Sequence, residues 1–306
     1  MALVMRPFRI PLRTRFRGVT ERAGVLVSGP AGWGEFSPFP EYPPAVAARW
    51  LTAAREAAID GFPVPVRNTI PVNTIVPAVS PEEAYDLVAA AGCTTAKVKV
   101  AEGDDEARVA AVRDALGRSG RIRIDANGAW DVDTAVRRIR ALDRYDLEYV
   151  EQPCRTLDEL AAVRRRSDVP IAADESIRTA EDPVAVAVAD AADIAVLKVQ
   201  PLGGVRTCLR VAEACGLPVV VSSAVETSIG IAMGAALAAA LPELPYACGL
   251  GTIPLLAGDV TDQPLVPVGG AIPVRAIVPS EALLDRWTPN DADALLARAR
   301  EAEAAA

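Results

Sequence analysis

From about residue 70 onward, short runs of apolar, often β-branched residues alternate with longer alanine-rich stretches whose apolar positions recur at helical spacing. The short runs predict strands near 71–76, 95–100, 121–125, 147–151, 171–174, 194–198, 218–222 and 244–248. The stretches between them predict helices near 80–92, 104–117, 132–144, 157–166, 181–189, 205–215 and 228–240. Strands this short and this uniformly apolar are buried on both faces, as in a parallel sheet covered by its own crossover helices. Eight strands linked by seven helices suggest a closed α/β barrel. An open doubly wound sheet is the competing arrangement. It is weakened because no Gly-x-Gly-x-x-Gly follows a strand at the start of this region.

Before residue 70 the pattern changes. A strand-like opening leads into a turn-rich region marked by Gly18, Gly24, Gly29, Gly32 and Gly34, then a helix near 44–60. Glycines at that spacing suit hairpins and loops. The segment around 14–24 is expected to be a flexible cap loop on which specificity depends, and GWGEFSP (32–38) a hairpin and loop covering the barrel mouth. After 255, Pro and Gly return with a strand-like AIPVRAIV, expected to pack back on the N-terminal part, and from Asp291 a peripheral helix follows. A chain of 306 residues has room for a barrel-sized domain and a smaller attachment.

Composition narrows the function classes. With 51% hydrophobic and 24% charged residues the chain reads as a folded globular protein. A net charge of −8 and the lack of a basic, aromatic-rich surface argue against nucleic-acid binding. The apolar run 231–241 is too short for a membrane span and is followed by Pro242. The opening MALVMRPFRIPLRTRFRG lacks the sustained apolar core of a signal peptide. A cytoplasmic enzyme acting on a small molecule is expected, with no oligomer signal and a monomer as the plain case. Cys93, Cys154, Cys208, Cys215 and Cys248 are scattered and odd in number, which predicts free buried thiols.

The basic residues change the picture most. Of 32 lysines and arginines only three are lysine, namely Lys97, Lys99 and Lys198, and there is no histidine. Arginine keeps its proton, whereas lysine can lose one when burial or a nearby cation lowers its pKa. Base chemistry at carbon would therefore fall to lysine.

Placement supports that reading. Chemistry in such barrels sits at the C-terminal ends of the strands. In TTAKVKV the period of two puts Lys97 and Lys99 on one face, directed inward. Two ammonium groups side by side depress at least one pKa. The next strands end at Asp125, Glu151 and Asp174, and the one after at Lys198, with spacings of 26, 23 and 24 residues, about one βα unit each. Three carboxylates completed by water and substrate oxygens make a site for Mg²⁺ or Mn²⁺. Such an ion would polarise a substrate carboxylate and stabilise the charge left when an α-proton departs. A barrel that only binds or serves as structure would leave these lysines and acids without a common purpose.

The set KVK, DAN, EQP, ADES and LK resembles the enolase superfamily, in its muconate-lactonizing branch. The resemblance covers nearly the whole chain. It implies a modified TIM barrel, (β/α)7β, over residues 69–261. It also implies an α+β capping domain formed from both chain ends, residues 1–68 plus about 262–306. It implies Asp125, Glu151 and Asp174 as metal ligands, Lys99 as the acid/base group facing the α-carbon, Lys198 on the opposite face and Lys97 as electrostatic support. Asn127 and Glu175 match neighbouring motif positions that would brace the site. Within the branch, GWGEFSPFPEY (32–42), SSAVETSIG (222–230) and GLGT (249–252) are most similar to the dehydratases of menaquinone biosynthesis in their actinobacterial form. That implies Ser222, Ser223, Gly249 and Leu250 at the substrate's succinyl carboxylate. The implied reaction is dehydration of 2-succinyl-6-hydroxy-2,4-cyclohexadiene-1-carboxylate to 2-succinylbenzoate through an enediolate. An N-acylamino-acid racemase, a dipeptide epimerase or a cycloisomerase on the same scaffold is the alternative.

Overall fold

The computed structural model describes residues 3–178 and 182–306. Its strands are β1 (Val4–Phe16), β2 (Val19–Gly29), β3 (Gly32–Phe36), β4 (Thr69–Pro71), β5 (Thr74–Val76), β6 (Thr95–Lys99), β7 (Arg121–Asp125), β8 (Leu147–Glu151), β9 (Ile171–Ala173), β10 (Ile194–Leu197), β11 (Val219–Val221) and β12 (Ala271–Pro273). Its α-helices are α1 (Pro44–Arg55), α2 (Pro81–Ala91), α3 (Asp105–Leu116), α4 (Val132–Leu142), α5 (Leu157–Arg164), α6 (Glu175–Arg178), α7 (Ala185–Val188), α8 (Val199–Leu202), α9 (Val205–Cys215), α10 (Ser228–Ala240), α11 (Glu281–Trp287) and α12 (Ala292–Ala304).

Strands β5 to β11 form one parallel sheet in chain order. Single parallel bridges, Val72 with Cys248 and Ser222 with Gly249, link its two ends through one segment and close the ring. The strand expected at 244–248 is thus reduced to a bridge pair at 248–249. Pro242 and Pro245 just before it lack the amide hydrogens that a longer ladder needs. The strand expected at 71–76 divides in two. Residues of β4 pair antiparallel with β12, and only β5 joins the barrel. The change of partner falls at Val72, whose N–H donates to Gly270, and Asn73, whose N–H donates to Cys248.

Helix starts follow local chemistry. Reciprocal capping boxes, Ser80 with Glu83 and Thr156 with Glu159, open α2 and α5. The helix expected at 181–189 begins outside the described residues. Within them the crossover holds the single-turn helices α6 and α7. Pro183 disfavours helical geometry at the residue before it.

The first three strands form a separate antiparallel sheet, β1-β2-β3. The expected loop at 14–24 is instead the tip of the β1–β2 hairpin. Arg17 and Gly18 take φ of 50° and 79°, the left-handed pair of a two-residue turn, so Phe16 pairs directly with Val19. A second apolar core lies here, with Val25, Phe36, Trp50 and Leu51 from the start of the chain and Ala299 and Ala302 from α12 at its end. The strand of the AIPVRAIV segment is taken by β4, while its later residues, Val274 to Val278, line one cavity with Gly32 and Trp33 of β3. The helices after it also reach this sheet: Arg6 of β1 pairs with Glu281 and Asp285 of α11.

The N-terminal sheet docks on the barrel through a buried carboxylate. Glu35 Oε2 accepts hydrogen bonds from Thr227 N (3.1 Å), Thr227 Oγ1 (2.6 Å) and Gly230 N (3.1 Å) at the start of α10, and Oε1 accepts from Ser37 Oγ (2.6 Å). Burial, then the neighbouring Glu226, pushes this carboxyl up to about 7. Gly230 is what permits the approach, since a Cβ there would meet Glu226 Cβ at 2.4 Å and Glu35 Oε2 at 2.9 Å. Gly230→Ala should cost about 1–3 kcal/mol through overpacking. Urea denaturation checks it, and an unchanged midpoint would contradict this account of the contact.

Candidate active site

The barrel brings the predicted residues to one mouth. Lys97 and Lys99 lie on β6, with Lys99 in register beside Asp125 and Asp125 beside Glu151. Asp174 and Lys198 directly follow β9 and β10. Just beyond two of the acids the chain bends through left-handed residues, Asn127 (φ 47°) and Gln152 (φ 41°). The carboxylates are thereby left at the strand tips while the backbone departs.

All six charges are paired. Lys97 Nζ lies 2.8 Å from Glu151 Oε1 and 3.2 Å from Asp125 Oδ2. Lys99 Nζ lies 2.6 Å from Asp125 Oδ2 and donates to Asn127 Oδ1 at 2.7 Å. Lys198 Nζ lies 2.6 Å from Asp174 Oδ2, and Arg178 Nε donates to Asp174 Oδ1 at 3.1 Å. Asn127 Nδ2 also donates to Glu175 Oε1 at 3.2 Å, so the two expected bracing residues do meet.

Burial and pairing pull these groups in different directions. Burial and then the Lys97 charge depress the Lys99 ammonium, although Asp125 opposes them. Burial also acts against the Lys97 ammonium, but Glu151 and Asp125 outweigh it and hold its pKa well above the usual lysine value. For Asp125 and Asp174 the burial cost is outweighed by Lys99 and Lys97 in one case, and by Lys198 and Arg178 in the other, so both carboxyls sit below their usual range. Burial raises Glu151 to about 7 despite Lys97.

Among the described residues no three acidic, histidine or cysteine side chains stand in a ready metal-holding arrangement. The lysine ammonium groups neutralise the acids there instead. The donor set nonetheless fits a hard divalent cation. It offers carboxylate oxygens from three adjacent strand ends, and Glu151 Oε2 is buried without a hydrogen-bond partner.

A small cavity of about 30 Å³ lies over this cluster. Lys97, Lys99, Asp125, Asn127 and Lys198 form its floor, and Ser222, Ser223 and Gly249 line it as expected. Leu250 does not: its side chain turns into α10 against Gly234. Thr252 lines the cavity instead, and Ser223 Oγ and Thr252 Oγ1 are 2.8 Å apart. The N-terminal sheet supplies a roof that no strand spacing announces, with Phe16 and Arg17 at the hairpin tip and Phe39 beyond β3. Lys99 Nζ lies 5.2 Å from the Phe16 ring centroid, a cation–π contact. Sequence reasoning also missed Arg178 and Gln152. Gln152 was visible only as a letter in EQP, since nothing in spacing shows a side chain tying two strand ends together.

Residues 80–279 match the family described as Enolase C-terminal domain-like, and residues 8–58 match Enolase N-terminal domain-like. The chain is 70% identical over 284 residues to an o-succinylbenzoate synthase of Thermobifida fusca, covering 91% of this chain and 90% of that one. It is 54% identical over 282 residues to an o-succinylbenzoate synthase of Mycolicibacterium smegmatis, covering 90% and 87%. Among solved structures, an L-Ala-D/L-Glu epimerase from Bacillus subtilis superposes with a TM-score of 0.80 at 26% identity, covering 92% of this chain and 97% of that one.

Gln152 gives a test of how the strand ends are held. Its Oε1 accepts from Asp174 N (3.0 Å) and Ser176 N (3.2 Å), and its Nε2 donates to Cys154 O (2.8 Å) and Ser176 Oγ (2.7 Å). Gln152→Leu strands these partners and should destabilise the fold by about 3 kcal/mol. A urea midpoint equal to the parent's would show that other contacts hold the two ends together.

Proposed function

The chain belongs to the enolase superfamily, within its o-succinylbenzoate synthases, and from that premise we propose how its own residues carry the reaction. The activity is that of a carbon–oxygen lyase of menaquinone biosynthesis. It removes water from 2-succinyl-6-hydroxy-2,4-cyclohexadiene-1-carboxylate to give 2-succinylbenzoate. Members of this superfamily depend on Mg²⁺. In our reading Asp125, Glu151 and Asp174 hold that ion. When bound it supplies positive charge to the substrate carboxylate as the α-proton leaves.

Lys99 is the acid/base group. Its pKa is lowered by burial and by Lys97, so its neutral form is more accessible than that of an ordinary lysine. Asp125 and Asn127 aim its Nζ. Lys99 takes the proton alpha to the carboxylate and leaves an enediolate. The same ammonium then gives its proton to the departing hydroxyl, the carbon–oxygen bond breaks, water leaves and the ring becomes aromatic. Lys198 follows β10, four strands from β6 in the order around the barrel, and so faces the substrate from the other side. As an ammonium it stabilises the enediolate charge and the ring face. Lys97 keeps Glu151 and Asp125 compensated. Asn127 and Glu175 brace Lys99 and Asp174. Ser222 and Ser223, with the wall at Gly249, receive the succinyl carboxylate.

The observation that carries this reading is the convergence of all three lysines of the chain on three strand-end acids beneath one cavity. Because Lys99 and Lys198 share that cavity, proton exchange on an N-succinylamino acid is the second reading. There the two lysines would act as a donor–acceptor pair.

We assign residues 1–68 with about 262–306 to a cap and 69–261 to the barrel, supported by the second apolar core drawn from both chain ends. A cytoplasmic setting is supported by five buried free cysteines. Among the described residues no helix is long and apolar enough to cross a membrane.

Lys99→Ala (K99A) and Lys198→Ala (K198A) should each lower kcat by about 10³-fold or more while the circular dichroism spectrum stays that of the parent. Following the ultraviolet absorbance of the forming aromatic product checks this. Full activity in either variant would remove that lysine from the mechanism.

A further inference from the structure

The turn after β11 holds a backbone conformation that its sequence resists. Val225 has φ 62°, and it is the one β-branched residue with positive φ among the described residues. A branched Cβ crowds the backbone in this region, so the conformation persists only where its surroundings impose it. Val225 lines the cavity together with Ser222, Ser223 and Ala224.

Three contacts impose it. Val225 N donates to Ser223 Oγ at 3.1 Å, and Ala224 N donates to Glu226 Oε2 at 2.7 Å. Both bonds lie inside the turn and would move with it. The third comes from another part of the molecule: Arg22 Nε, on β2, donates to Val225 O at 3.1 Å. Arg22 is buried and does not line the cavity. Its Nη2 donates to Ser37 O and Ser37 Oγ, and its guanidinium lies 4.2 Å from the ring centroid of Phe39, a cavity residue. Ser37 in turn accepts from Gln200 Nε2 at 3.3 Å, and its N–H donates to Gln200 Oε1 at 3.1 Å, two residues past Lys198. One arginine therefore joins the roof of the cavity to its strained wall.

We propose that Arg22 is a positioning residue, which ties the N-terminal sheet to the Val225 carbonyl and so holds the Ser223–Val225 turn where it receives the substrate's succinyl carboxylate. The proposal rests on the binding role given above to Ser222 and Ser223. Arg22 acts on substrate affinity through the turn and takes no part in moving the proton.

The test is a double-mutant cycle between Arg22→Lys (R22K) and Val225→Gly (V225G), read by steady-state kinetics on the cyclohexadiene substrate. R22K keeps the charge beside Glu35 and Glu226 but loses the fork that serves Val225 and Ser37 together. In the parent, R22K should raise KM by about tenfold with kcat within about twofold. Glycine accepts the left-handed conformation without strain, so in the V225G background R22K should raise KM less than about twofold. Equal effects in the two backgrounds, or a loss in kcat alone, would overturn the proposal. If R22K alone does not fold, V225G/R22K should fold, because the glycine removes the strain that Arg22 opposes. A double variant that also fails to fold would overturn the proposal. Failure of the underlying binding role looks different: Ser223→Ala would then leave KM unchanged, whereas failure of the Arg22 proposal leaves Ser223→Ala impaired and R22K normal.

Discussion

Three carboxylates cannot stand together at a buried barrel mouth unless positive charge stands with them. Moving a lone charge out of water costs several kcal/mol even after relaxation. This chain meets the constraint with the only three lysines it has, set against Asp125, Glu151 and Asp174 at distances of 2.6 to 3.2 Å. The balance is uneven by design of the strands. Lys97 sits lower on β6 and touches two acids, so its proton is held firmly. Lys99, at the tip, has burial and Lys97 acting against its proton. Neighbouring positions of one face of one strand thus hold one ammonium more firmly than the other.

That much was legible in the sequence. A βα unit recurs about every 25 residues, so residues ending successive short apolar strands must share one rim, and the period of two puts Lys97 and Lys99 on the same face. The lysine-poor, histidine-free composition then pointed to lysine as the candidate base. Element types and most boundaries followed from the same periodicity, with α9 and α10 found at the expected positions. The departures have local causes. Prolines shortened the closing strand, and an Arg-Gly turn made a hairpin where a loop was expected.

The roof of the cavity was legible only as covering segments, without the side chains that reach the site. Phe16, Arg17 and Phe39 reach the barrel mouth only because the N-terminal sheet folds over it, and no periodicity links residue 39 to residue 198. The docking contacts share that character. Glu35 and Arg22 are buried polar groups whose partners lie about two hundred residues away in sequence. Buried polar groups demand partners, but sequence alone does not say which. Their shared target is the 222–230 stretch, so the wall that would grip the substrate's side chain is shaped by the sheet above it as much as by the barrel below.

The central claim is that the strand-end acids act with a divalent cation while lysine moves the proton. It is tested most directly by following dehydration of 2-succinyl-6-hydroxy-2,4-cyclohexadiene-1-carboxylate in protein stripped with a chelator and then given Mg²⁺. The account predicts loss of the absorbance change after stripping and its return on addition of Mg²⁺. A full rate in the stripped protein would contradict it.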